Sequence, residues 1–193
     1  MAPGAQALAY NVSGMKTWIA LFRGINVMGR NKLPMKDLAQ LLRRLKFKDV
    51  RTYIQSGNAV FASAGSAASL AARIGAAVER QFGFRPYVVL LDARDVARAV
   101  ARNPFPEGEA VPTSLHLWFL EARPAAAGPA ALEACRAASE RFALRGKVLY
   151  LHAPEGFGIS KLAARAERSL CTRGTARNWR TVTTLLAIAR GEE

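Results

Sequence analysis

The order of strand-like and helix-like segments constrains the fold of this chain most strongly. A short apolar run, TWIALF at residues 17–22, ends shortly before Gly24 and predicts a buried strand. Leucines at helical spacing then predict a helix over residues 34–46, and Pro34 suits its first turn because the missing N–H costs nothing there. The chain therefore begins with a strand followed by a helix.

A hairpin signal follows this pair. The segments VRTYIQ and NAVFAS flank Ser56–Gly57, which predicts two strands joined by a two-residue turn. A second amphipathic helix over residues 67–82 and a strand over residues 86–92 come next. Together these segments make a β-α-β-β-α-β unit.

The second half partly repeats this order. Strands are predicted within SLHLWFLEA and KVLYLH, and helices over residues 93–101, within 125–142, and over 160–170 and 178–189. We predict an α+β protein of two split βαβ (ferredoxin-like) half-domains. Its parts are a disordered leader (residues 1–14), a first half-domain (15–102), a proline-broken linker (103–112) and a second half-domain with C-terminal helices (113–193).

Positive charge is concentrated in two segments of the chain. The net charge is +14, and residues 15–58 carry ten Lys or Arg against two acids, while residues 157–190 carry seven against one. Everything else is balanced, at eleven of each sign. This placement indicates a surface that faces an anion, although scattered basic residues can also serve solubility alone.

The composition excludes several classes of protein. No apolar run reaches the roughly 18–20 residues of a membrane span, and the N-terminus lacks the pattern of a signal peptide. Cys135 and Cys171 have neither disulfide-framework nor metal-site spacing, so both are expected to be small buried thiols. We expect a cytoplasmic protein that does not enter membranes; the sequence does not fix its oligomeric state.

The first loop, RGINVMGRNK, is a candidate anion site. Gly24 and Gly29 have the GxxxxG spacing of a P-loop, but Arg30 and Asn31 stand where that motif has Lys and Ser or Thr, which argues against a nucleoside triphosphate. Backbone N–H groups could still approach an anion there. The candidate ligands are Arg23, Gly24, Asn26, Gly29, Arg30 and Lys32. The alternative is a structural turn in which Asn26 caps locally.

The segment TYIQSGN has a second candidate surface. Strand alternation puts Arg51, Tyr53 and Gln55 on one face, which would suit an open sheet that stacks a base and holds its phosphate. The alternative is that Tyr53 packs inside the protein. Asn58 is included as a candidate ligand, although it can also satisfy backbone groups of the turn.

Two further candidates lie near the C-terminus. In GFGISKL, Ser160 suits an N-cap and Lys161 the first helical turn, with Arg165 and Arg168 continuing a basic stripe that a solvated helix face would explain equally well. In TARNWRTV the candidates are Arg177, Asn178 and Arg180, with Asn178 as a helix cap first, and Trp179 as a core anchor.

Catalytic chemistry has little support. His116 and His152 both lie in strand-like segments and are expected to be packed or capping histidines. Neither a nucleophile elbow nor a zinc-binding HExxH helix is present, and carboxylates are scarce near the motifs. We assign no catalytic residue, metal or cofactor, and lean against an enzyme.

Four segments together, RGINVMGRNK, YIQSGNAVF, GFGISKL and TARNWRTV, resemble the bacterial family known as domain of unknown function 1697. The resemblance spans roughly residues 15–190. It implies a duplicated split βαβ fold and no established activity or catalytic residue.

Three hypotheses for the function follow. The first is a protein that binds RNA or DNA by phosphate neutralisation with modest stacking. The second is an enzyme or sensor for a small phosphorylated metabolite. The third is a basic structural oligomer without a ligand, in which the motifs are turns and caps.

Overall fold

A computed structural model of the chain describes residues 14–27 and 29–192. The strands are β1 (Lys16–Arg23), β2 (Lys48–Tyr53), β3 (Asn58–Ser63), β4 (Tyr87–Asp92), β5 (Leu115–Leu120), β6 (Arg141–Arg145), β7 (Val148–His152) and β8 (Gly174–Asn178). The helices are α1 (Met35–Arg44), α2 (Ala67–Phe82), α3 (Ala93–Ala101), α4 (Gly128–Glu133), α5 (Lys161–Leu170) and α6 (Trp179–Arg190).

The strands form two antiparallel sheets of four strands each. Their orders are β2-β3-β1-β4 and β6-β7-β5-β8, so the second sheet repeats the connectivity of the first. In each repeat one helix follows the first strand and another follows the third. The predicted α+β fold of two split βαβ (ferredoxin-like) repeats is confirmed.

The chain divides into two compact units. The first contains the chain up to Arg94 together with the residues from Leu185 onward, and the second spans Asp95–Thr184. The predicted linker, residues 103–112, therefore lies inside the second unit and includes a short 3-10 turn, Pro106–Glu109. The Tyr150 hydroxyl donates a 2.7 Å hydrogen bond to the Ala99 carbonyl, which ties α3 to β7 within that unit.

In the first unit, β1 and β3 pack against α1 and α2. Alternate residues of β1, including Ala20 and Phe22, face the helices because side chains alternate across a strand. Phe61 of β3 stacks on Phe47, with ring centroids 4.4 Å apart. The leucines of α1 are buried, as predicted from their spacing. This core fixes the loops at the ends of β1 and β2.

The core of the second unit lies between its sheet and α4 and α5. Leu149 and Leu151 of β7 pack with Leu162, Ala166 and Leu170 of α5. Ser160 begins α5, and its Oγ accepts a 3.0 Å hydrogen bond from the Ala163 amide, as expected of an N-cap.

Two sequence-based expectations need correction here, and a third is untested. Strands β6 and β8 were not predicted. The turn between β2 and β3 contains residues 54–57 rather than Ser56–Gly57 alone. The predicted leader, residues 1–14, lies outside the described residues except for Gly14.

Candidate functional site

The loop after β1 folds back on itself as a small finger, which we define as residues 24–27 and 29–33. The Arg30 amide donates to the Val27 carbonyl at 2.9 Å, and the Asn26 amide donates to the Asn31 carbonyl at 3.1 Å. Val27 and Arg30 form an antiparallel bridge. The finger is therefore a miniature hairpin.

Asn26 ties the finger to its own base and to the β2–β3 turn. Its Nδ2 donates to the Leu33 carbonyl at 2.9 Å and to the Gln55 carbonyl at 3.0 Å, and its Oδ1 accepts from the Leu33 amide at 2.7 Å. Both hydrogens of the Asn26 side-chain amide are thus donated to backbone carbonyls. The sequence analysis treated Asn26 as a candidate ligand, but the structure gives its side chain the local capping role that was the alternative.

The β2–β3 turn packs against the start of the finger. The Phe22 amide donates to the Gly57 carbonyl at 2.8 Å. Asn58 is completely buried, and its Nδ2 donates to the Tyr53 carbonyl at 3.2 Å and to Ser56 Oγ at 3.0 Å. Asn58 therefore organises the turn and does not lie where a ligand could reach it.

The Arg51–Tyr53–Gln55 face differs from the open sheet that was expected. β2 ends at Tyr53, so Gln55 lies in the turn. Arg51 pairs with Val60, which itself pairs with Ile19, and these two apolar residues are only 4% and 1% exposed. Arg51 and Gln55 are exposed and Tyr53 is half-buried, so the open part of this face is limited to the edge strand and the turn. Base stacking on Tyr53 stays a prediction.

A set of exposed cations in the first unit stands out instead. We call it the basic face, and it consists of Arg30, Lys32, Lys36, Arg43, Arg44, Lys46 and Lys48. Within the described part of the chain none of the seven forms an ion pair with a carboxylate. Among the described residues, Arg43 donates to the Val50 carbonyl and Arg44 to Gln81 Oε1, and both acceptors are neutral.

The sequence analysis included only Arg30 and Lys32 of this set. The sequence did indicate three of the others, because the leucines mark the buried side of α1 and Lys36, Arg43 and Arg44 lie on its opposite, polar side. Treating that polar side as a candidate binding surface would have identified them.

In the second unit, Lys161 and Arg165 are exposed at the start of α5. They line a cleft of about 490 Å³ together with Arg136 and the carboxylates Glu140 and Glu155. Three cations and two acids nearly balance, so this cleft is a weaker attraction for an anion than the basic face.

The residues around the start of α6 have mainly structural positions. Arg177 is largely buried, and this burial lowers its pKa to about 10; its Nη1 donates to Thr175 Oγ1 at 2.9 Å. Asn178 Oδ1 accepts from the Thr181 amide at 2.9 Å and caps α6, as predicted. Trp179 is buried, and Arg180 alone of the three predicted ligands is exposed.

The histidines are packed rather than poised for catalysis. His116 stacks on Phe157 with ring centroids 3.9 Å apart, and burial lowers the pKa of its imidazole to about 4. His152 stacks on Phe105, with ring centroids 6.2 Å apart. At neutral pH His116 is therefore uncharged.

Cysteines and acids offer no metal site among the described residues. No group of three His, Cys, Asp or Glu side chains lies close enough there to hold an ion. Cys135 is half-buried as a free thiol. Cys171 is exposed, contrary to expectation, and lies at the C-terminal end of α5 with φ of 51°. None of the described helices is both long and apolar enough to cross a bilayer.

Comparison with known proteins gives a family and a fold. The family model described as "Protein of unknown function (DUF1697)" matches residues 15–150. The conserved bacterial protein SP0830 from Streptococcus pneumoniae has a similar structure, with a TM-score of 0.71 and 22% identity over 91% of this chain and 99% of that one. No curated protein matches this sequence.

Proposed function

This chain belongs to the protein family of unknown function DUF1697, and we propose that it binds the phosphate backbone of nucleic acid through the basic face. The observation that carries this proposal is the presence of seven exposed cations between Arg30 and Lys48, without a carboxylate partner in the described structure. Cations placed in this way are available to neutralise phosphates and release counterions.

The contrast with other surface cations supports this proposal. Elsewhere many arginines lie against acids, as in the ion pairs Arg94–Asp92 and Arg136–Glu133. Asp37 and Asp49 are the acids nearest to the basic face in sequence, and neither pairs with a described cation. A surface built for solubility alone would mix the two signs more evenly.

The length of the basic face favours a polymer over a small ligand. α1 has ten residues and is about 15 Å long, and the face continues beyond both of its ends. One strand of a duplex presents a phosphate about every 3.4 Å along the axis, so α1 alone spans about four phosphates. A small phosphorylated molecule instead needs cations that converge on one point.

Two matched triple variants test the proposal. The first, Lys32→Gln with Lys36→Gln and Lys48→Gln, removes three exposed cations of the basic face whose side chains form no hydrogen bond or ion pair within the described residues. The control, Arg80→Gln with Arg102→Gln and Arg123→Gln, removes three exposed, unpaired cations from elsewhere in the described chain. Both lower the net charge from +14 by the same amount.

Labelled single-stranded RNA and duplex DNA are titrated with each protein at 0.1 M salt. Each lost phosphate contact weakens binding about eightfold at this salt concentration, so the first variant should bind far more weakly than the wild type. The control should bind as the wild type does within a few-fold. Equal losses in the two variants would mean that only total charge matters, and the basic face would not be the binding site.

A small phosphorylated metabolite is the competing ligand class. Displacement of the labelled RNA by micromolar pyrophosphate, abolished by Lys161→Gln but not by the first triple variant, would favour that class and the cleft at α5. A cytoplasmic location belongs to the same proposal as nucleic-acid binding, and the free thiols of Cys135 and Cys171 would stay reduced there.

A further inference from the structure

Two large aliphatic side chains are exposed beside the hydrogen bond that joins the finger to the β2–β3 turn. Val27 is 55% exposed and Ile54 is 49% exposed. The bond runs from Asn26 Nδ2 to the Gln55 carbonyl at 3.0 Å. Val27 follows Asn26 and Ile54 precedes Gln55, so the two aliphatic residues flank the same junction.

The backbone of Ile54 is strained. Its φ is +45°, in the left-handed region that β-branched residues rarely adopt. Asn or Gly at this position would relieve the strain, and the side chain of Ile54 gains little from burial because half of it is in solvent. Strain of this kind, held in place by its surroundings, is found most often at binding sites.

The two side chains stand on a rigid base. Ile25 and Leu33, at the two ends of the finger, are only 2% and 0% exposed. Asn31 Nδ2 donates to the Gly24 carbonyl at 2.8 Å, and Asn26 adds its three hydrogen bonds. An apolar tip supported in this way can enter a narrow space without losing its shape.

Positive charge lies next to this apolar tip. Val27 and Arg30 are bridge partners, so their side chains lie beside each other, and Lys32 follows in the same finger. Both cations belong to the basic face. Apolar side chains flanked by cations are the means by which several architectural proteins insert between stacked bases while holding the adjacent phosphates.

We infer that Val27 and Ile54 form a wedge that inserts between adjacent bases of the nucleic acid whose phosphates the basic face binds. This inference rests on the proposed function and adds a base-unstacking step to it. Membrane affinity grows with the apolar area that is buried, and two half-exposed aliphatic side chains offer little such area, which argues against a lipid anchor. The charges beside them suit phosphates and the apolar tip suits a base step.

The test uses full-length protein and oligonucleotides that contain 2-aminopurine, whose fluorescence rises when the base is unstacked. The wedge variant is Val27→Ser with Ile54→Asn, because Asn tolerates the positive φ at position 54. The matched control is Val111→Ser with Ile159→Asn, which changes two exposed aliphatic residues, 57% and 74% exposed, in the second unit. Urea midpoints confirm that both variants are folded.

The wild type and the control should raise the fluorescence, and the wedge variant should not. The wedge variant should also bind about tenfold more weakly, with an unchanged dependence on salt because no cation is lost. A fluorescence rise that persists in the wedge variant would overturn the wedge. So would salt-dependent binding by the wild type without any rise, which would leave the proposed function intact.

Absence of binding at low salt by the wild type would instead remove the proposed function together with the wedge. Vesicles of phosphatidylserine and phosphatidylcholine provide the lipid arm. If the wild type sediments with them and the wedge variant does not, while 2-aminopurine shows no change, the tip is a lipid contact and the wedge is overturned.

Discussion

Replacement of Asn26 should destabilise the protein more than a typical change in a surface loop. Asn26→Ala removes three hydrogen bonds, each contributing about 1 kcal/mol. It also places alanine at a φ of 54°, which costs about 1 kcal/mol more. The expected loss is therefore about 4 kcal/mol of unfolding free energy, against about 0.5 kcal/mol for ordinary surface positions.

Asn26→Gly separates the two contributions. Glycine loses the same three hydrogen bonds but adopts the positive φ without strain, at the cost of a more flexible unfolded chain. We expect it to be less destabilising than Asn26→Ala by about 0.5–1 kcal/mol. Urea unfolding followed by far-UV circular dichroism gives the midpoints, and hydrogen exchange of the Leu33 amide reports local opening of the finger.

A wild-type midpoint for Asn26→Ala would refute this reasoning, because it would show that the two hydrogen bonds of Asn26 to Leu33 and the one to Gln55 do not stabilise the fold. A larger loss for Asn26→Gly than for Asn26→Ala would show that the backbone of Asn26 is not in the left-handed conformation. Either result would also weaken the rigid base that the wedge requires.

Two further predictions concern packing and pH. Gly57→Ala would place a Cβ 2.6 Å from Ile25 Cδ1 and 2.8 Å from Phe22 Cβ, at a φ of +83°. It should lower the unfolding free energy by at least about 2 kcal/mol more than Gly29→Ala, whose Cβ would meet nothing within 4 Å. Equal urea midpoints for the two variants would contradict this. Burial lowers the pKa of His116 to about 4, so the unfolded chain takes up the proton first as pH falls below about 6.5. The unfolding free energy should therefore fall by up to about 1.4 kcal/mol per pH unit between pH 6 and pH 4, and His116→Gln should flatten this dependence; an unchanged slope in the variant would place the imidazole in solvent.

The sequence predicted the elements whose patterns are strong. β1 and β3 contain continuous apolar runs, and α1 and α2 have leucines or isoleucine at helical spacing. The pattern of buried residues is therefore enough to tell strand from helix in these four elements. The bounds of α2 were predicted to the residue, because Ser66 caps its start and Gly83 ends it.

β6 and β8 could not be predicted in the same way. Their sequences are short: RFALR has only Phe142 and Leu144 as large apolar residues, both on one side, and GTARN has none. They lie at the two edges of the second sheet and are strands because β7 and β5 offer unpaired backbone groups. Pairing with a distant strand leaves little local signal in the sequence.

The candidate site was predicted only in part. The sequence predicted RGINVMGRNK as a loop and TYIQSGN as the end of a strand and a turn, but it could not show that Asn26 of the first donates to Gln55 of the second, a contact between residues 29 apart. It also left Asn26 and Asn58 open between ligand and cap, because the sequence alone does not distinguish an amide that binds a phosphate from one that caps the backbone. Only the hydrogen-bond partners distinguish these roles.

The dependence of nucleic-acid affinity on salt tests the central claim most directly. The account predicts a linear fall of log K with log salt concentration for the wild type. It further predicts that replacing Lys32, Lys36 and Lys48 by Gln lowers the magnitude of that slope by about 2.7, while the matched control at Arg80, Arg102 and Arg123 leaves it unchanged. A slope near zero for the wild type, or the same slope in all three proteins, would contradict it.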